Sequence, residues 1–181
     1  MLNSAHANYS YDSLKRILKF GLTKVDLTSV DTILLLGLGG GSVIKTLRED
    51  FDFSGSITAV ELDNTIIDIA AKEFQIYSNS KLEIIYNDAF EFVKKNQRLF
   101  DLIIIDLFID NLVPEVFYST RFWENISKSI QKSGCFIFNA SVISASGDQL
   151  APMMAVTEKS FLIQKYELVE GTNTVVTGQK K

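Results

Sequence analysis

Residues 32–41 constrain the fold of this chain more than any other stretch. The apolar run Thr32-Ile33-Leu34-Leu35-Leu36 stops at four glycines within five positions, Gly37-Leu38-Gly39-Gly40-Gly41, and a helical pattern opens at Ser42. That order reads as a buried strand, a tight loop and a helix start. Glycine carries no Cβ and reaches φ > 0, so a ligand can lie against bare backbone in such a loop. The helix start behind it adds N–H groups without partners. The combination predicts a nucleotide-like ligand.

The rest of the chain alternates apolar runs with helical patterns. Helices are expected over Tyr9–Leu22, Ser42–Glu49, Asn64–Phe74 with Asn64 as its cap, Asp88–Lys95, Pro114 to about Gln131, and Gly147–Ser160 with Pro152 near its start. Strands are expected over Thr32–Leu36, Ser56–Leu62, Leu82–Tyr86, Leu102–Ile105 and Cys135–Phe138. Phe161–Leu168 and Thr174–Thr177, flanking Glu170-Gly171-Thr172-Asn173, read as a closing antiparallel hairpin. Five βα units and a hairpin define an α/β fold, a mainly parallel seven-stranded sheet with helices on both faces. With 181 residues the chain suits one compact domain, divided into an N-terminal helical segment (1–30) and a Rossmann-like domain (31–181).

Composition excludes several classes. The net charge of −4 gives no electrostatic support to a nucleic-acid-binding role. One cysteine, Cys135, and one histidine, His6, exclude a Cys/His zinc site and argue against a Ser-His-Asp triad. The lone cysteine forbids an intrachain disulfide, reads as a packing residue, and points to a reducing, cytoplasmic setting. No apolar stretch reaches the length of a membrane span and no signal peptide is recognisable, so no membrane partner is expected.

Ligands of a parallel sheet bind at the carboxyl ends of its strands, where the strand order reverses. A dinucleotide fingerprint needs glycine where this chain has Ser42, which disfavours NAD and an oxidoreductase, and the Gly-Lys-Ser/Thr of a P-loop is absent. Strand two ends in Glu61-Leu62-Asp63. Glu61 follows Gly37 by 24 positions, near the spacing at which a carboxylate accepts from two ribose hydroxyls. Asp88, in Asn87-Asp88-Ala89-Phe90, suits either the amine of a base or a helix cap. Asp106 ends the apolar strand Asp101-Leu-Ile-Ile-Ile and suits a general base or an ammonium anchor. Asp110 and Glu115 follow it and could add negative charge around a cationic substrate. Tyr9 and Tyr11, just ahead of the core, could line the acceptor side.

These segments resemble the class I S-adenosylmethionine-dependent transferases, and among them the spermidine synthase family. The resemblance rests on Leu36-Gly37-Leu-Gly39-Gly40-Gly41, Ala59-Val-Glu61-Leu-Asp63, Asn87-Asp88-Ala89-Phe90, Asp101-Leu-Ile-Ile-Ile-Asp106 and Pro114-Glu-Val-Phe-Tyr-Ser-Thr-Arg-Phe-Trp123. It implies the class I methyltransferase fold and binding of S-adenosylmethionine or its decarboxylated form. Gly37, Gly39 and Gly41 would lie under the sulfonium side chain, Glu61 would hold the ribose hydroxyls, Asp88 and Ala89 would bind adenine, and Gly40 and Leu62 would also belong to the cofactor-binding residues. Asp106 would be the catalytic base and also border the cofactor, with Asp110 and Tyr11 towards the acceptor. The acceptor would be a small molecule, an amine or polyamine, and a homodimer is compatible with the family.

Three departures shape the functional expectation. Gly40 stands where the family has the aspartate that holds the donor's amine. The Asp-x-x-Asp-Pro after strand four is absent, Asp110 falling one position late. The N-terminal β-domain of the family is not seen ahead of the glycine loop. Methyl transfer to a small or cationic acceptor is therefore the expected activity. Leu35, where many methyltransferases carry an acid, keeps aminopropyl transfer to a polyamine as the close alternative. A non-catalytic adenosine-ligand-binding domain is a further alternative.

Overall fold

The computed structural model describes residues 11–109, 112–141 and 147–181. Five parallel strands, β1 (Thr32–Leu36), β2 (Ser56–Glu61), β3 (Leu82–Tyr86), β4 (Phe100–Ile105) and β5 (Ile130–Ser141), share one sheet with the hairpin of β6 (Phe161–Val169) and β7 (Asn173–Lys180). The strand order is β3-β2-β1-β4-β5-β7-β6, with β7 antiparallel to β5. The order reverses between β1 and β4, and the carboxyl ends of those two strands are where a sheet of this kind forms its ligand crevice.

Helices cover both faces, so the central strands are apolar throughout rather than alternating with polar residues. Period-two alternation still sorts their side chains between two cores. Leu34, Leu36, Ile103, Ile105, Phe136 and Phe138 face one core, under α4 (Ala89–Lys95), α5 (Thr120–Ser129) and α6 (Gly147–Thr157). Ile33, Leu35, Leu102, Ile104, Cys135 and Ile137 face the other, under α1 (Tyr11–Leu22), α2 (Ser42–Asp50) and α3 (Asn64–Phe74). Cys135 is buried there, and burial, with the charges of Asp101 and Asp26, pushes its thiol up to about 12. It packs as a small apolar residue. No helix among the described residues is long and apolar enough to cross a membrane.

At the amino end of β4, the Asp101 carboxylate ties β1 in place. Its Oδ2 accepts from the backbone N–H groups of Asp31 (3.1 Å) and Thr32 (2.9 Å) and from the Thr32 hydroxyl (2.8 Å). Both strands start in register because one side chain satisfies three donors.

Several boundaries differ from expectation, each for a local reason. Asp63, not Asn64, caps α3, its Oδ1 accepting from the Thr65 N–H at 2.7 Å. Pro114 does not open a long helix. It precedes a short 3-10 turn over Glu115–Tyr118, and Ser119 then caps α5. β5 begins at Ile130 rather than Cys135, because Ile130 pairs with Phe100 before a register shift that lets Cys135 pair with Leu102. Ser133 takes φ 62° in that irregularity. Pro152 lies inside α6, five residues after its start. Tyr9 lies outside the described residues.

The first core centres on Trp123, which is fully buried. Its ring meets Phe136 at 4.9 Å and Phe138 at 5.3 Å, both edge-on, and its Nε1–H donates to the Phe117 carbonyl at 2.9 Å. Edge-to-face packing and a satisfied indole N–H are both favourable for a buried Trp. Trp123→Ala is expected to lower the unfolding free energy by about 3–5 kcal/mol in denaturant titrations. Trp123→Phe, which keeps one aromatic ring but loses the fused five-membered ring and its bond to the Phe117 carbonyl, should cost less.

Candidate active site

The glycine loop continues the hydrogen-bonding of the sheet before it turns. The Gly37 N–H donates to Val60 O and the Asp106 N–H to Leu36 O, both at 2.9 Å. Gly37 has φ 92°, and a Cβ built on it would stand 2.1 Å from the Asp106 carbonyl oxygen. Gly41 has φ 78°, with its Cβ position 2.5 Å from Ile76 Cγ1. Protein atoms therefore exclude a side chain at both positions. Gly39 differs. It has φ 51°, yet nothing lies within 4 Å of its Cβ position. A side chain there would project into open space above the loop, so the backbone forms a bare cradle at this point.

Glu61 ends β2 beside that cradle and braces it. Its Oε2 accepts from the N–H groups of Leu38 (3.0 Å) and Gly39 (3.2 Å). Its Oε1 accepts from those of Leu62 (2.9 Å) and Asp63 (3.1 Å). One carboxylate thus joins the loop after β1 to the turn after β2. Leu62 is 56% exposed at the mouth of the crevice, and Tyr86, at the end of β3, is 64% exposed. Apolar side chains held open at the ends of neighbouring strands offer flat surface to a ring. Tyr86 carried no signal in the sequence beyond its place at a strand end.

Asp88 caps α4, its Oδ1 accepting from the Glu91 N–H at 2.9 Å, and Ala89 is buried as the first residue of that helix. The cap uses one carboxylate oxygen. Asp106, half-buried, continues β4 into the crevice. Its Oδ1 accepts from Asn139 Nδ2 at 2.9 Å. Burial pushes its carboxyl up to about 6; the hydrogen bond from Asn139 opposes the rise and the charge of Glu61 adds to it.

The structure brings Gly37, Gly39, Gly40, Gly41, Glu61, Leu62, Asp88, Ala89 and Asp106 to the carboxyl edge of the sheet, on the ends of β1, β2, β3 and β4. Asp110 lies outside the described residues, and Glu115 is exposed on the 3-10 turn. Tyr11 opens α1, whose helix packs on the α2 side of the sheet. Asn139 was not singled out from the sequence, although a polar residue ending the apolar run Cys135-Phe-Ile-Phe is a visible anomaly. Among the described residues no cluster of His, Cys, Asp and Glu suits a metal ion.

Strand order, cradle and closing hairpin define a Rossmann-like fold of the class I methyltransferase type. Human methyltransferase-like protein 13, solved with SAH, superposes with a TM-score of 0.75 at 20% identity, covering 93% of this chain and 82% of that one. A probable spermidine synthase from Corynebacterium glutamicum superposes equally well, at 22% identity over 92% of this chain and 63% of its own. At these identities the likeness establishes the fold. Residues 15–170 match the spermine/spermidine synthase domain, and the chain belongs to that family. A polyamine aminopropyltransferase from Buchnera aphidicola is 29% identical over 114 residues, and the match spans 60% of this chain and 40% of that protein.

The raised carboxyl of Asp106 has a consequence for stability. An unfolded aspartate titrates near 3.9. Between about 4 and 6 the folded protein therefore binds more protons at this site than the unfolded chain, and stability falls as pH rises through that window. Asp106→Asn removes the penalty. The variant should melt at higher temperature than the native protein at pH 7.5, and the difference should vanish as the pH of the thermal scan is lowered towards 4.

Proposed function

We propose that this chain transfers an aminopropyl group from decarboxylated S-adenosylmethionine to a primary amine of the polyamine class, with Asp106 as proton acceptor. Membership of the spermine/spermidine synthase family supports the reaction class. The observation that carries the reading is the position of Asp106. It is a half-buried carboxylate titrating at about 6, at the strand-order reversal, next to a loop whose Gly39 faces open space.

The residues divide the work. The bare backbone at Gly39 accommodates the donor without a steric barrier, and Glu61 exchanges part of its four backbone N–H bonds for the hydroxyls of the ribose. Leu62, Tyr86 and Ala89 line the adenine side, with Asp88 holding the turn. When bound, a sulfonium donor supplies a carbon whose leaving group is a neutral thioether. The nucleophile is the difficulty, because an alkylammonium has no lone pair. Asp106 first attracts the ammonium as a counter-charge and then takes its proton, freeing the lone pair that forms the new N–C bond. A carboxylate near 6 is ionised at neutral pH and more basic than an exposed one. The charge of Glu61 favours a cationic acceptor in the same crevice.

Methyl transfer from S-adenosylmethionine is the second reading, and Gly40 favours it. A loop without an acidic side chain gives the amine of the donor tail no counter-charge at that position.

Parallel calorimetric titrations with methylthioadenosine and S-adenosylhomocysteine separate the two. Aminopropyl transfer predicts tighter binding of methylthioadenosine, and turnover of putrescine with decarboxylated S-adenosylmethionine. Preference for S-adenosylhomocysteine with no turnover of putrescine supports methyl transfer instead. Binding with no turnover on any amine marks a domain that keeps only the ligand site. Asp106→Asn should lower turnover by about 10²–10⁴-fold while leaving methylthioadenosine affinity nearly unchanged. Glu61→Ala should weaken that affinity by roughly 1.5–3 kcal/mol. Turnover that survives Asp106→Asn would remove Asp106 from the chemistry.

A further inference from the structure

Two asparagines buried behind Asp106 have no role in ligand binding described above. Asn139 is fully buried and Asn173 is 1% exposed. β4 and β5 run in register with Ile105 beside Phe138, so Asn139 stands next to Asp106 at the following step. Asn139 Nδ2 donates to Asp106 Oδ1 at 2.9 Å, and Asn139 Oδ1 accepts from Asn173 Nδ2 at 2.8 Å. Asn173 Oδ1 accepts from the Thr172 hydroxyl at 2.8 Å. The chain of bonds runs from the hairpin turn through two core amides to the carboxylate.

Buried amides are costly unless paired, and apolar side chains would fill the same space without that cost. Apolar side chains share their face of the sheet: Ile137 on β5 and Val175 on β7, the cross-strand partner of Asn139. The β5–β7 ladder also shifts register between Asn139 and Ser141, where strict pairing is given up. Such irregularities re-aim side chains beside sites. The polarity of the chain is ordered as well. An ionised carboxylate only accepts, so Asn139 must present its NH2 to Asp106, and Asn173 must then present its NH2 to Asn139. Protonating Asp106 on Oδ1 sets a donor against the Asn139 NH2, and turning Asn139 to accept it would require Asn173 to reverse as well. Burial and Glu61, the other charged group acting on Asp106, favour protonation; the donated bond from Asn139 opposes both.

We propose that Asn139 and Asn173, backed by Thr172, are positioning residues that hold the Asp106 carboxylate ionised and aimed into the crevice, which makes the C-terminal hairpin part of the proton-accepting apparatus. The inference rests on the reading of Asp106 as proton acceptor given above.

The test follows the Asp106 carboxyl by ¹³C NMR in the full chain, its resonance assigned by loss in Asp106→Asn. Asn139→Leu removes the direct donor, Asn173→Leu removes the second link without touching Asp106, and Thr172→Val removes the last hydroxyl at a half-buried turn position where folding is easily kept. The Asp106 midpoint should rise by about one pH unit or more in Asn139→Leu. It should rise by less in Asn173→Leu and least in Thr172→Val. The acid limb of the pH–kcat profile with the amine acceptor should move with it, while methylthioadenosine affinity stays within about twofold. Midpoints that match the native protein in Asn173→Leu and Thr172→Val, with unchanged melting temperature and ligand affinity, would overturn the relay. If Asn173→Leu does not fold, Thr172→Val and Asn139→Leu decide. A midpoint that rises without moving the pH–kcat limb upholds the relay and refutes the role of Asp106 as the base.

Discussion

The close approach of β1 and β4 is the constraint from which the rest of the site follows. These strands lie side by side although a long stretch of chain separates them, and their carboxyl ends diverge into different loops. Gly37 permits this. With a Cβ at position 37, the Asp106 carbonyl would have to move, because 2.1 Å is far inside any van der Waals contact. Moving that carbonyl shifts the Asp106 side chain, its bond from Asn139 and the separation from Glu61. A single missing methyl group thus sets the distance between the ligand loop and the carboxylate opposite it. The sheet supplies rigidity behind both, with Leu36 and Ile105 fully buried one residue earlier on each strand.

The second constraint is electrostatic. The crevice holds two carboxylates of different character. Glu61 is surrounded by backbone donors, four of which point at its oxygens. Asp106 receives one side-chain donor, from Asn139. Burial pushes the Asp106 carboxyl up to about 6, and the charge of Glu61 adds to the rise. Differing environments of this kind let neighbouring acids of one site take different parts.

The fold was largely legible in the sequence because its signals are local. Buried strands without alternation, glycine at the first turn, and the order of βα units each leave a mark in a short window. The errors fell where distant residues decide the outcome. The early start of β5 depends on Ile130 finding Phe100, and the 3-10 turn after Pro114 depends on where Phe117 and Tyr118 bury. The cap of α3 was misplaced by one residue, since Asp63 and Asn64 are equally good cap types and only geometry separates them. In the candidate site, residues on strand ends are legible from their position in the sequence. Asn139 and Asn173 are not, because their meaning lies in a pairing across β5 and β7 that connects positions 34 apart.

Asp101 and Asp106 sit five residues apart on one strand, which places them about 17 Å from each other along it. The first is committed to three donors at the amino end and the second to one at the carboxyl end. Anchorage and the candidate site are thereby segregated to opposite rims of the sheet, with four buried aliphatic side chains, Leu102 to Ile105, insulating one from the other. The carboxyl rim can change its acid or that acid's neighbours without loosening the joint that aligns the strands. A fold arranged in this way can diversify its chemistry while its frame stays put.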